Sequence, residues 1–122
     1  MSELAEIESE QVGSACVVRV RGEIDMTNAG ALSAMIENAM PAGTPTLVLE
    51  MSDTTYLDSR GVALLLRLAE RLRSRRQELR LVVPPEATIR AVLDFTGVPA
   101  VMRVDARLDD ALANDLLRPD AT

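Results

Sequence analysis

The feature that most constrains this chain is a repeated change in the period of its apolar residues. Short β-rich runs give way to apolar residues at every third and fourth position, and then return. The runs are "LAEIESEQ", "ACVVRVRG", "TLVLEM", "LRLVV" and "AVMRVDA", and helical patterns with short connections lie between and after them. Strands alternating with amphipathic helices bury the helix stripes on a sheet, so the pattern predicts an α/β domain. No linker, internal repeat or low-complexity block interrupts it, and 122 residues, 48% of them apolar, suit one domain with a real core.

The first run is polar and weak, and Gly13 is placed to turn it into a hairpin with the second. In the second run Cys16, Val18 and Val20 share one face, while Val17, Arg19 and Arg21 share the other. From Thr27 to about Met40 the helical stripe is Ala31, Leu32, Met35, Ile36 and Ala39, with Thr27 as N-cap and "PAGTP" as the stop. "TLVLEM" reads as a central strand leading into a loop, "SDTTYLD". After Ser59, Val62 to Leu66 are apolar all round and predict a buried helix start, and "RLAERLRSRRQE" keeps only Leu68, Ala69 and Leu72 as a stripe. "PPEATIRAVLDFTGV" follows as a helix with Pro85 near its first turn and Gly97 past its end. "RLDDALANDLL" is the last helix, ahead of the polar tail "RPDAT".

Composition removes whole classes of chemistry. The chain has no histidine, which excludes Ser-His-Asp triads, Cys-His dyads and histidine-ligated metal sites. Cys16 is the only cysteine, so an internal disulfide and a thiolate metal cage are excluded within one subunit, and its place in a strand predicts a buried thiol. Neither a G-x-x-x-x-G-K-[ST] loop nor a G-x-G-x-x-G turn is present, and without lysine a nucleotide-hydrolysing site lacks its usual cation. The net charge of -6 conceals a segregation, because seven of the thirteen arginines fall between Arg60 and Arg80. The acidic total and only two aromatics, Tyr56 and Phe95, argue against nucleic acid binding. No run of eighteen apolar residues occurs and the N-terminus is acidic, so the expectation is a soluble, cytoplasmic protein with no membrane contact, no metal and no cofactor.

What remains is "TTYLDSRGVALLL", where the charged tripeptide Asp58-Ser59-Arg60 stands before a buried helix. A serine there is by default an N-cap, worth about 1 kcal/mol. The same helix terminus presents free N–H groups and a partial positive charge, which suit a phosphate attached at Ser59. With no histidine to take its proton Ser59 is a poor nucleophile, but as a kinase substrate it relies on the partner's base. The residues point to a modified surface and not to an active site, with no catalytic residue expected.

"YLDSRGVALL" resembles the Asp-Ser-Ser/Thr-Gly segment of STAS-domain anti-sigma factor antagonists. "VVRVRGEIDMTNAGAL" is similar to that family's strand followed by Gly-Glu-(Ile/Leu)-Asp, and "IRAVLDFTGV" to its Leu-Asp-x-(Ser/Thr)-Gly segment. The resemblance implies a single STAS-like domain over residues 1–122, with a core from about 4 to 117 and a tail from 118 to 122. It implies a mixed sheet of four to five strands with about four packed helices. It also implies a regulator that is not itself an enzyme. Such a protein binds an anti-sigma factor, frees a sigma factor, and is phosphorylated by that anti-sigma factor, a serine kinase. A separate phosphatase resets it, and direct DNA binding is not expected.

By position, the resemblance makes Ser59 the phosphate acceptor and Asp25, Thr27, Asp58, Ser59, Arg60 and Gly61 the partner-binding set. Alternatives stay open for several of them. Asp25 either belongs to the partner surface or caps the helix near Thr27, and Gly22 and Gly61 either shape that surface or satisfy turn geometry. Arg60 departs from the family's usual serine or threonine: it pairs with an acidic partner, neutralises a phosphate on Ser59, alters which kinase accepts the site, or is simply solvated. The alternative for the whole chain is a STAS scaffold subunit of another assembly, stressosome-like or for lipid transport, with no phosphorylation switch.

Overall fold

The hairpin expected at Gly13 opens the sheet. In the computed structural model, which describes residues 5–117, β1 (Ala5–Val12) and β2 (Ala15–Ile24) pair antiparallel, and Gly13 takes the positive φ of 62° that the turn requires. β3 (Thr46–Glu50), β5 (Glu78–Val82) and β6 (Arg103–Asp105) add in parallel, giving the order β1-β2-β3-β5-β6. "TLVLE" is therefore central, as its unbroken apolar run predicts.

The segment read as the loop "SDTTYLD" contains a sixth strand, β4 (Thr54–Leu57), so the sheet exceeds the expected four to five strands. β2 pairs with β3 through Ala15 to Arg19 and then with β4 through Gly22 to Ile24. The register shifts between Gly22 and Glu23, and Gly22 adopts φ 102°, a value that side-chain-bearing residues rarely reach. Thr54 is buried and its hydroxyl donates to the Val20 carbonyl at 2.9 Å. β4 is thus held by its partner strand, and its own four residues carry little strand signal.

Among the described residues, four helices cover the sheet. α1 (Ala29–Ala39), α2 (Ser59–Ser74) and α3 (Thr88–Phe95) pack on the face carrying Cys16, Val18, Val20, Leu47, Leu49 and Leu81. α4 (Leu108–Leu117) covers the opposite face, where Ala111 and Leu112 meet Val17, Val48 and Val82. The expected split of β2 into two faces is observed. α2 is anchored by Leu65, Leu68 and Leu72, all fully buried, each contributing about 1.5–3 kcal/mol. Beyond α3, Gly97 has φ 78° and leads into a single 3-10 turn, Val98–Ala100.

α1 and α2 differ from their sequence patterns in one respect each. The buried stripe of α1 is Ala29, Leu32 and Ile36, while Ala31 and Met35 face solvent. Within Val62 to Leu66, Leu66 is 39% exposed, so the helix start is buried on most sides and not on all. One charge lies inside the second core: Arg80 of β5 is buried, its guanidinium donating to the Ala111 carbonyl at 2.6 Å and pairing with Glu78 at 2.9 Å. These bonds offset the cost of burying the charge, and the one to Ala111 ties α4 to the sheet. The tail "RPDAT" and Leu4, the first residue of "LAEIESEQ", lie outside the described residues.

Candidate functional site

Two connections meet where β2 and β4 end side by side: the turn from β2 to α1, and the step from β4 into α2. Ile24 pairs with Leu57 across the two strands, and the next residue of each, Asp25 and Asp58, begins its connection. The sheet register therefore brings the "GEID" and "LDSRG" segments together.

At the start of α2 the N-cap is Asp58, one residue earlier than Ser59. Asp58 has extended backbone angles (φ -100°, ψ -171°), and its Oδ1 accepts from the N–H groups of Arg60 at 2.9 Å and Gly61 at 3.0 Å. Its Oδ2 accepts from the Met26 N–H at 3.2 Å, which clamps the β2–α1 turn to the helix terminus. With both carboxylate oxygens engaged, Asp58 does the capping that the sequence assigns to Ser59. Ser59 is the first helical residue; it is exposed and its hydroxyl makes no hydrogen bond among the described residues.

The β2–α1 turn is organised around Asp25. Its Oδ1 accepts from the Thr27 N–H at 2.9 Å and the Thr27 hydroxyl at 2.6 Å, and its carbonyl accepts from Ala29 at 2.9 Å. The Thr27 bonds hold the Asp25 carboxyl below its ordinary value. α1 begins at Ala29 after Asn28, so Thr27 is not its N-cap: its hydroxyl is committed to Asp25. Asn28 does not cap with its side chain either, because that amide accepts from the Asp25 N–H and donates to the Glu23 carbonyl.

Gly61 faces inward. A Cβ built on it would lie 2.3 Å from Leu57 Cδ1 and 3.1 Å from Ile24 Cγ2, so the close approach of α2 to the paired ends of β2 and β4 needs a glycine here. Of the six residues singled out by sequence, Thr27, Ser59 and Arg60 present exposed surface, Asp25 and Asp58 are partly buried organisers, and Gly61 is buried packing. The structure brings all six to one corner of the molecule.

Beside that corner a cleft of about 140 Å³ runs between α1 and α2. One wall is Met26, Ala29, Gly30 and Ser33, and the other is Arg60, Leu64, Arg67 and Arg71. Sequence reasoning placed only Arg60 here. The spacing 60, 64, 67, 71 is the single-face signal of a helix and was available in the sequence, whereas the opposite wall is set by tertiary packing. Met26 is 67% exposed, the most open apolar side chain at this corner. Arg71 is held in place by Ser33 Oγ at 3.0 Å and by an ion pair with Glu37. Among the described residues no group of three or more Cys, Asp or Glu side chains could hold a metal ion, and no helix is long and apolar enough to cross a membrane.

Comparison with known proteins gives a consistent match. The STAS domain family profile matches residues 6–111. The chain is 31% identical to an anti-sigma factor antagonist from Mycobacterium paratuberculosis, with a TM-score of 0.80 over 89% of this chain and 92% of that one. It is 25% identical to the anti-sigma factor antagonist SpoIIAA in its unphosphorylated form, with a TM-score of 0.70 over 91% of this chain and 96% of that one. The Bacillus cell fate determinant SpoIIAA in the phosphorylated form gives 25% identity and a TM-score of 0.64, over 90% of this chain and 99% of that one.

Proposed function

The chain belongs to the STAS domain family, and from that premise we propose that it is an anti-sigma factor antagonist switched by phosphorylation of Ser59. Unphosphorylated, it binds an anti-sigma factor of the serine kinase type and so frees a sigma factor. Phosphorylated, it releases that partner until a separate phosphatase resets it. The chain itself is not an enzyme and works in the cytoplasm without contacting DNA or membrane.

The observation that carries this reading is the division of labour between Asp58 and Ser59. Because Asp58 caps α2, the Ser59 hydroxyl is left exposed and uncommitted at a helix N-terminus. In the transfer, Ser59 Oγ bonds to the γ-phosphorus of ATP, the bond to ADP breaks, and the hydroxyl proton passes to a base of the kinase. This chain supplies the acceptor and its fixed position; the partner supplies nucleotide, metal and base.

The product carries about -1.5 to -2 additional charge at residue 59. The α2 terminus and the Arg60 guanidinium favour it, while the Asp58 carboxylate opposes it. The cap bonds do not involve Ser59, so the fold survives and the change falls on the surface potential. The related SpoIIAA has been described in unphosphorylated and phosphorylated forms, which supports the same pair of states here.

Incubation with the cognate anti-sigma kinase and ATP is expected to add one phosphate, absent in Ser59→Ala. An unchanged mass in the presence of an active kinase contradicts the switch. A pull-down that recovers a transporter ATPase or a large homologous assembly in place of an anti-sigma kinase would make the chain a scaffold subunit.

A further inference from the structure

The anti-sigma factor reading leaves the cleft between α1 and α2 without a role, although it adjoins Ser59. Its α2 wall carries three guanidinium groups and its lining contains no carboxylate. Arg71 is neutralised by Glu37, but the Arg60 and Arg67 side chains are exposed and form no ion pair among the described residues. In a chain of net charge -6 this is a local reversal of sign. Two unneutralised cations, two helical turns apart, flank the buried Leu64, with Met26 exposed across the cleft. The opposite wall stays low because Ala29, Gly30 and Ser33 are small.

We infer that this cleft seats an acidic segment of the anti-sigma factor, with Arg60 and Arg67 gripping its carboxylates and Met26 covering an apolar side chain between them; this rests on the antagonist role proposed above. Charge complementarity selects the occupant. An arginine pair at this spacing matches carboxylates one or two turns apart on a helix, and guanidinium groups bind carboxylates in a fixed fork. Arg60 thereby acquires a role for its departure from the family pattern. It is a specificity residue that fits the chain to a partner carrying acid at this position, and a phosphate on its neighbour Ser59 competes for the same guanidinium.

The test is the affinity of the anti-sigma kinase that phosphorylates Ser59, measured by calorimetry at low and high salt. Arg60→Glu/Arg67→Glu should weaken binding about a hundredfold at low salt and remove most of its salt dependence. Arg73→Glu/Arg76→Glu makes the same change in net charge outside the cleft and should stay within about twofold of wild type. Gly30→Leu fills the cleft without a charge change: a Cβ on Gly30 meets nothing within 4 Å, so the helix tolerates it and binding should fall about tenfold. Wild-type affinity in Arg60→Glu/Arg67→Glu or in Gly30→Leu overturns the inference, and so does an equal loss in Arg73→Glu/Arg76→Glu. In each of those cases the antagonist role stands, because the wild-type chain binds; a wild-type chain that binds no anti-sigma factor overturns both.

Discussion

The Asp58 carboxylate accepts a hydrogen bond from the Met26 N–H at 3.2 Å, joining positions 32 residues apart, while its other oxygen caps α2. One side chain therefore fixes the relative position of the two segments that form the candidate partner surface.

Asp58→Ala should remove both functions. Loss of an N-cap costs about 1 kcal/mol, with a range of roughly 0.5–2 kcal/mol, and the Met26 N–H also loses its acceptor. Urea denaturation should show that drop, whereas Asp58→Asn keeps an acceptor oxygen and should recover most of the cap. Hydrogen exchange at Met26 should accelerate in the alanine variant.

Gly61→Ala should destabilise by about 1–3 kcal/mol through overpacking, since its Cβ meets Leu57 and Ile24. Leu57 is buried and cannot swing into solvent without a further loss. In a double-mutant cycle with Leu57→Ala, which removes the 2.3 Å clash, the two costs should be less than additive.

Asp25 is held below its ordinary carboxyl value first by the Thr27 hydroxyl and then by the Thr27 N–H. For a depressed carboxyl, the stabilisation is present above the unfolded-state value and is lost as pH falls through the folded one. The turn should accordingly loosen only on the acid side of the usual aspartate range. Thr27→Ala should move the Asp25 titration upward toward the ordinary value, measured by side-chain NMR, and leave neutral-pH folding intact.

Leu65→Asp and Leu66→Asp should behave differently although the residues are adjacent. Leu65 is fully buried and an unpaired charge there should cost ~4 kcal/mol or more, unfolding the domain. Leu66 is on the open side of α2, and its aspartate variant should keep the helical circular dichroism signal.

The parts of this structure legible in the sequence are those specified locally. Gly13 and Gly97 marked backbone turns that need positive φ, and Cys16-Val18-Val20 alternation marked one face of β2. β4 was not legible, because "TTYL" is four residues long, half exposed, and paired only with the end of β2, from Gly22 to Ile24, across a shift in register. The cap was misplaced by one residue since Asp58 and Ser59 are both good caps, and only the backbone angles select between them. On α1 the apolar pattern admitted a stripe with Ala31 and Met35, but the packed face runs through Ala29, Leu32 and Ile36, with Glu37 reaching Arg71. The six candidate residues were named in the sequence from their motif. That they meet at one corner depends on the Ile24–Leu57 register, which no local signal carries.

Ser59 is proposed to be a phosphate acceptor whose modification ends partner binding. The most direct test is the affinity of the cognate anti-sigma factor for the chain before and after stoichiometric phosphorylation, with Ser59→Ala carried through the same treatment. The unmodified chain is expected to bind tightly, to lose tenfold or more in affinity on phosphorylation, and the Ser59→Ala variant to take up no phosphate and stay bound. Equal affinity of the modified and unmodified chains would contradict it.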